Sequence, residues 1–211
     1  RRQYIPAKLD DNPSMTEDDP TYEQRLSGLG SKELVKALRD GDWNVIEGAF
    51  FDNWETKRHV CEPFSIPDHW IRLRAMDWGS ASPFCVLWGA VCSEDLHSDD
   101  GYVLPRGAIA IYREWYGSPN SSNQGLKLTA EQVADGIIER EQYERSRNIQ
   151  IANSVIDPNA FARNGGPSLA ERMIVKGVMW RAADNTRVGE RGAMGGWDQL
   201  RGRLNGEDSM R

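Results

Sequence analysis

The sequence is short of cysteine, histidine and long apolar runs. It holds 3 Cys and 3 His, with no CxxC pair and no Cys/His spacing that suits a zinc site. Cys61, Cys85 and Cys92 are an odd set, as expected of reduced cysteines in an intracellular protein. No stretch approaches the roughly 20 apolar residues a membrane helix needs, so no membrane partner is expected. Arg1-Arg2-Gln3-Tyr4-Ile5-Pro6 has no apolar signal core. The chain opens on Arg rather than Met and is expected to be a piece of a longer protein. No GxxxxGK[ST] phosphate loop occurs, which excludes a P-loop ATPase within this chain. Surplus positive charge is also lacking. A formal net charge of -6 argues against a surface coated in basic residues for nucleic acid. It does not argue against a DNA enzyme, because a carboxylate-built metal site is itself acidic.

What is present reads as a packed domain. The 211 residues are 39% hydrophobic and 27% charged, with 8 Trp, a composition for a core rather than for disorder. Trp78, Trp88, Trp115 and Trp180 are expected in that core rather than as base-stacking platforms. Charge is unevenly spread. The first twenty residues and Glu94–Asp100 are acid-rich, whereas Arg163 to Arg203 is rich in cations.

Residues 1–68 read as an appendage, with short helices expected after Asp19 and over Ser31–Leu38. Residues 69–211 read as the main domain. Ile71–Asp77 alternates apolar and polar residues as a half-buried strand does, and Phe84–Val91 suits a strand buried on both faces. Glu94–Gly101 reads as a polar loop, and Ala108–Tyr116 as a third strand. Thr129 with Gln132 forms a capping-box signature for a helix running to about Ser146. Then follow a strand over Ile149–Ile156, a helix over Ser168–Lys176, a short strand over Val178–Ala182 and a last helix over Gly195–Leu204. Three strands in a row suggest an antiparallel meander, and the alternation after them suggests parallel additions. The expected class is α/β, a mixed sheet of about five strands flanked by helices.

Asp77 ends the first of these strands and Asp157 ends the fourth. On neighbouring parallel strands, both carboxylates would emerge at one rim of the sheet. Two carboxylates held close repel each other, and a divalent cation between them removes that penalty. Hard oxygen ligands suit Mg²⁺ or Mn²⁺, and a two-metal site can drive phosphodiester hydrolysis. The plainer alternative is that each Asp merely caps a turn; Asp157-Pro158-Asn159 has that form. Asp184 is open to the same two readings, further ligand or turn cap. Glu131, in the first turn of the long helix, is expected to stabilise that helix end. Arg163, Lys176, Arg181, Arg187 and Arg191 are candidates for a DNA phosphate track or an Arg-rich solvated surface.

Six short motifs occur in order: Asp10-Asp11-Asn12-Pro13, Gly41-Asp42-Trp43, Gly48-Ala49-Phe50-Phe51, Met76-Asp77-Trp78-Gly79, Ile156-Asp157-Pro158 and Ala183-Asp184-Asn185. Together they resemble the C-terminal half of phage terminase large subunits. That resemblance implies a ribonuclease H-like nuclease, preceded in residues 1–68 by the end of an ATPase region and a linker. It implies a metal-dependent endonuclease that cuts concatemeric double-stranded DNA in the host cytoplasm. Asp77 and Asp157 match the family's acidic positions on the first and fourth strands. Portal protein and small terminase subunit are the implied partners. The family's further acidic ligand comes from a late helix; it is expected beyond Arg211, since Asp198, Glu207 and Asp208 do not match it. The alternative function is a non-catalytic docking domain of the same motor.

Overall fold

A computed structural model describes residues 50–97, 101–120, 123–186 and 195–206 of the chain. The chain divides into two compact units, Arg1–Glu55 and Thr56–Arg211. In the first, the rings of Phe50 and Phe51 meet edge to face with centroids 5.2 Å apart. The two helices expected before residue 49, Asp10–Pro13 and Gly41–Trp43 lie outside the described residues. The second unit begins earlier than the expected boundary at 68/69. A short helix α1 (Thr56–His59) and the segment after it fold with the sheet. Cys61, Phe64 and Ile66 pack against a small core of Trp70, Ala90, Cys92 and Leu104.

The main sheet has five strands: β1 (Ile71–Asp77), β2 (Cys85–Val91), β5 (Ile109–Tyr116), β6 (Ile151–Ile156) and β7 (Arg181–Ala182). Their order is β5-β2-β1-β6-β7. β1, β2 and β5 form an antiparallel meander, while β6 joins β1 and β7 joins β6 in parallel. This mixed sheet with helices packed on it is a ribonuclease H-like fold. The segment expected as a polar loop, Glu94–Gly101, instead carries a short strand β3 (Leu96–His97), which pairs with β4 (Val103–Leu104) just after it. Its Leu104 is buried, which anchors an otherwise polar excursion.

Side-chain alternation gives the sheet two unlike faces. Met76, Val86, Trp88 and Ile156 lie on the inner face, buried with Val133, Ala134, Ile137, Ala170 and Met173 from the helices. Each fully buried aliphatic side chain of this kind contributes about 1.5–3 kcal/mol. The helices begin where the sequence places them. Thr129 and Gln132 form a reciprocal capping box at α2 (Ala130–Arg140), and Ser168 and Glu171 form another at α4 (Leu169–Val175).

Two expected elements are corrected. The long helix breaks at Glu141 into α2 and α3 (Gln142–Ser146). At Glu141 the backbone is distorted (φ -95, ψ 10) although the i→i−4 bonds run through it, and its carboxylate accepts from Arg74 and from the Trp88 indole N–H. The strand expected over 178–182 pairs only at Arg181–Ala182. Before it, the Met179 carbonyl accepts from the Arg74 guanidinium at 2.9 Å instead of entering a ladder. The last helix, α5 (Gly196–Asn205), closes on Gly206 in the left-handed conformation (φ 71).

Candidate active site

β1 and β6 run in parallel, and Met76 and Ile156 are register partners. The next residue on each, Asp77 and Asp157, therefore leaves the sheet at the same rim on adjacent strands, whose axes lie about 4.8 Å apart. Met76 and Ile156 are buried on the inner face. Alternation then turns both aspartates to the opposite, solvent-facing side.

Each aspartate is held by its own local device. After Asp77 the chain folds tightly back. A Cβ on Gly79 would lie 2.4 Å from the carbonyl oxygens of Ser82 and Pro83, and one on Gly125 would lie 2.2 Å from that of Ser80. Only glycine backbone permits these approaches. The Gly125 N–H donates to the Ala81 carbonyl at 2.8 Å and ties the turn down. Asp157 caps a single 3-10 turn, Pro158–Phe161, by accepting from the Asn159 N–H on Oδ1 at 2.8 Å. That bond fixes the carboxylate and leaves its second oxygen available. Both turn-cap and ligand readings of Asp157 are thus geometrically compatible, since one oxygen serves each.

No Lys or Arg among the described residues forms an ion pair with Asp77 or Asp157. Two neighbouring anionic groups without a protein cation between them suit a bound divalent ion. The donor set is hard oxygen. Mg²⁺ in particular is commonly held by one or two carboxylates, with water and substrate phosphates completing its shell. Two aspartates fit that pattern. Among the described residues no three His, Cys, Asp or Glu side chains gather into a larger set.

Asp184 follows β7, where the Ala183 N–H bonds the Ile156 carbonyl at 2.8 Å. Its carboxylate turns back to accept from the Thr186 N–H at 3.0 Å, and this bond lowers its pKa. The structure does not bring it together with the two aspartates. Glu131 pairs with Arg172 on α4 through two hydrogen bonds of 2.8 and 2.7 Å. The Arg172 bonds hold its carboxyl at about 2. It therefore ties α2 to α4 in addition to standing at a helix N-terminus.

The candidate cations are scattered. Arg163 is engaged by Glu171. Lys176 pairs with Asp135 at 3.0 Å and lies at the end of α4, where the crossover has returned to the rim opposite the aspartates. Arg181 projects from β7 on the same side as Asn153 and Val155, and its guanidinium donates to the Asn153 side-chain oxygen. Arg187 and Arg191 lie outside the described residues. Two further residues stand on the same side of the sheet as Asp77, without a site role expected from the sequence. Cys85 is the register partner of Asp77 on β2, and Glu114 on β5 accepts weakly from the Cys85 thiol at 3.8 Å. Burial first, then the charges of Glu114 and Asp77, push that thiol up. A period-2 reading of the third strand places Glu114 on a face but cannot say which strand it adjoins.

No protein-family model matches the chain, and no curated protein matches it significantly. Solved structures do. The large terminase of a thermophilic bacteriophage matches with a TM-score of 0.53 at 15% identity, covering 96% of this chain and 42% of that one. The same protein in complex with ADP gives 0.52 at 15% identity, again over 96% and 42%. The P22 large terminase nuclease domain gives 0.48 at 16% identity, over 76% of this chain and 70% of that one. The likeness is one of fold, and this chain spans 42% of the length of the thermophilic phage's terminase.

Proposed function

We propose that this chain is the DNA-cutting domain of a phage large terminase, a metal-dependent endonuclease acting on double-stranded DNA. The observation that supports this most is the parallel register of Met76 with Ile156, which sends Asp77 and Asp157 out side by side with no protein cation between them. The fold shared with the large terminase of the thermophilic phage supports it independently. In this reading Asp77 and Asp157 hold Mg²⁺ or Mn²⁺, as a two-metal site completed by water and DNA phosphate. These two carboxylates would hold a divalent ion, which would supply Lewis acidity to a phosphoryl oxygen and lower the pKa of water there. Asp157 presents its second oxygen with the first already fixed by Asn159, so the carboxylate meets the ion without reorganising. Asp77 stands at the mouth of a tight turn closed by the Gly125–Ala81 hydrogen bond. Asp184 is at most an outer contact, through water. Arg181, Arg187 and Arg191 supply phosphate contacts; Arg163 adds one only where a phosphate displaces Glu171, and Lys176 only to DNA that wraps past the far rim.

Cutting is largely independent of sequence, since contacts of this kind go to backbone rather than base edges. Portal protein and small terminase subunit would be its partners, and the host cytoplasm its setting. No helix among the described residues is long and apolar enough to cross a membrane.

A second reading, a docking domain of the same motor, is favoured by one observation. On the solvent-facing side of the sheet, Ile71 and Ile111 are 52% and 59% exposed. Exposed apolar surface of this kind marks interaction sites when contiguous. Incubation of supercoiled plasmid with the chain in Mg²⁺, Mn²⁺ or EDTA separates the two. Nicking with either metal and none with EDTA supports the nuclease; no cutting with any divalent ion leaves the docking reading.

A further inference from the structure

We infer that duplex DNA crosses the solvent-facing side of the sheet over its β6–β7 half, with Arg181, set in place by Asn153, taking a backbone phosphate beside the cut. The inference rests on the nuclease reading for the word "cut", but its geometry does not.

The solvent-facing side has a charge polarity. Arg181 is the register partner of Val155, and the residue before it, Trp180, is buried on the inner face. Arg181 therefore shares a side with Asn153, Val155, Asp157 and Asp77. Val155 lies two residues before Asp157. At about 3.3 Å per residue along a strand and about 4.8 Å between strands, the Arg181 backbone is about 8 Å from that of Asp157. An arginine side chain covers most of such a gap. On the other half of the same side, beyond Cys85, stands the exposed carboxylate of Glu114. On this side Arg181 attracts a phosphate and Glu114 repels one; Asp184, past the end of β7, has its carboxylate turned back to the Thr186 N–H.

The partner of Arg181 is the decisive detail. Most described arginines near acids are neutralised by them: Arg74 by Glu141, Arg113 by Glu144, Arg163 by Glu171, Arg172 by Glu131. Arg181 instead donates to the neutral amide oxygen of Asn153, and no described acid pairs with it. An amide oxygen restrains the guanidinium without cancelling its charge. Arg has five N–H donors, so after one bond to Asn153 a forked pair is still free for phosphate. Asn153 is accordingly a positioning residue and Glu114 a fence.

The test is binding of a fluorescent mixed-sequence duplex in EDTA, where nothing can be cut, across a salt series. Arg181→Ala should weaken binding and reduce the slope of log K against log salt by about 1. Arg181→Lys should restore the slope, because the charge returns. Asn153→Ala should keep the slope yet raise KM for plasmid cutting several-fold with kcat unchanged. Glu114→Lys should leave the slope as in the unaltered chain, because no phosphate lies there. A slope unchanged by Arg181→Ala, or raised by about 1 in Glu114→Lys, overturns the inference. Failure of the nuclease reading shows separately: the unaltered chain would not nick plasmid in Mn²⁺, whatever Arg181→Ala does to the slope.

Discussion

Arg74 of β1 and Glu141 at the α2–α3 joint form an ion pair with side chains only 3% and 2% exposed. The pair is buried among polar and aromatic partners. The Trp88 indole donates to Glu141 at 2.9 Å, the guanidinium donates to the Met179 carbonyl, and it lies 4.4 Å from the ring centroid of Trp180. Burial lowers the pKa of Arg74, and Glu141 acts against that shift. β1 carries Asp77 at its end, so this pair helps seat the strand that presents the candidate metal ligand. Removing one partner leaves a buried charge uncompensated. Glu141→Ala should cost about 3–5 kcal/mol, read by urea unfolding. The double change Arg74→Met with Glu141→Leu should cost much less, because no lone charge remains.

Gly136 gives a prediction in which packing overrides propensity. Helix propensity alone favours alanine at this α2 position by about 1 kcal/mol. A Cβ there would lie 2.3 Å from the Trp115 ring. That ring is pinned edge to face against Phe84 at 4.7 Å and covered by the Arg140 guanidinium at 3.8 Å. Gly136→Ala should therefore destabilise by about 1–3 kcal/mol, and a thermal melt decides the sign.

Two carboxyls make the fold acid-sensitive in a defined window. Hydrogen bonds from Arg172 hold Glu131 at about 2, and those from Arg163 hold Glu171 at about 2. Unfolded Glu titrates near about 4.3. Depressed folded values mean that the stabilisation is complete above that pH and is lost as pH falls toward about 2. Between these limits Tm should drop with pH, and the drop should be shallower in Glu131→Gln with Glu171→Gln. An unchanged profile in that double variant would refute the assignment.

Asp157 should separate its two roles by substitution. Asn caps a turn as well as Asp does, whereas Ala loses about 1 kcal/mol at such a position. Asp157→Asn should keep Tm and lose metal-dependent cutting. Asp157→Ala should lose both. If Asp157→Asn cuts normally, the residue is a cap and nothing more.

Local signals made much of this fold legible. Alternation in Ile71–Asp77, the apolar run of β2 and the Thr129–Gln132 box each depend on residues within a few positions of one another. The pairing of Asp77 with Asp157 was legible only conditionally, because β1 and β6 had first to be parallel neighbours. What escaped was set at long range. The partner of Glu141, where the helix is interrupted, lies 67 residues away in sequence. Arg163 and Lys176 read as open cations until the fold supplied Glu171 and Asp135. The bond from Arg181 to Asn153 crosses between strands that no local pattern connects.

The most direct test is plasmid nicking by Asp77→Asn in Mn²⁺, beside the unaltered chain and with circular dichroism to verify folding. The Asp77 side chain is exposed and makes no hydrogen bond among the described residues, so the fold should be unaffected while nicking disappears. Mn²⁺-dependent nicking retained at the unaltered rate by a folded Asp77→Asn protein would contradict the account.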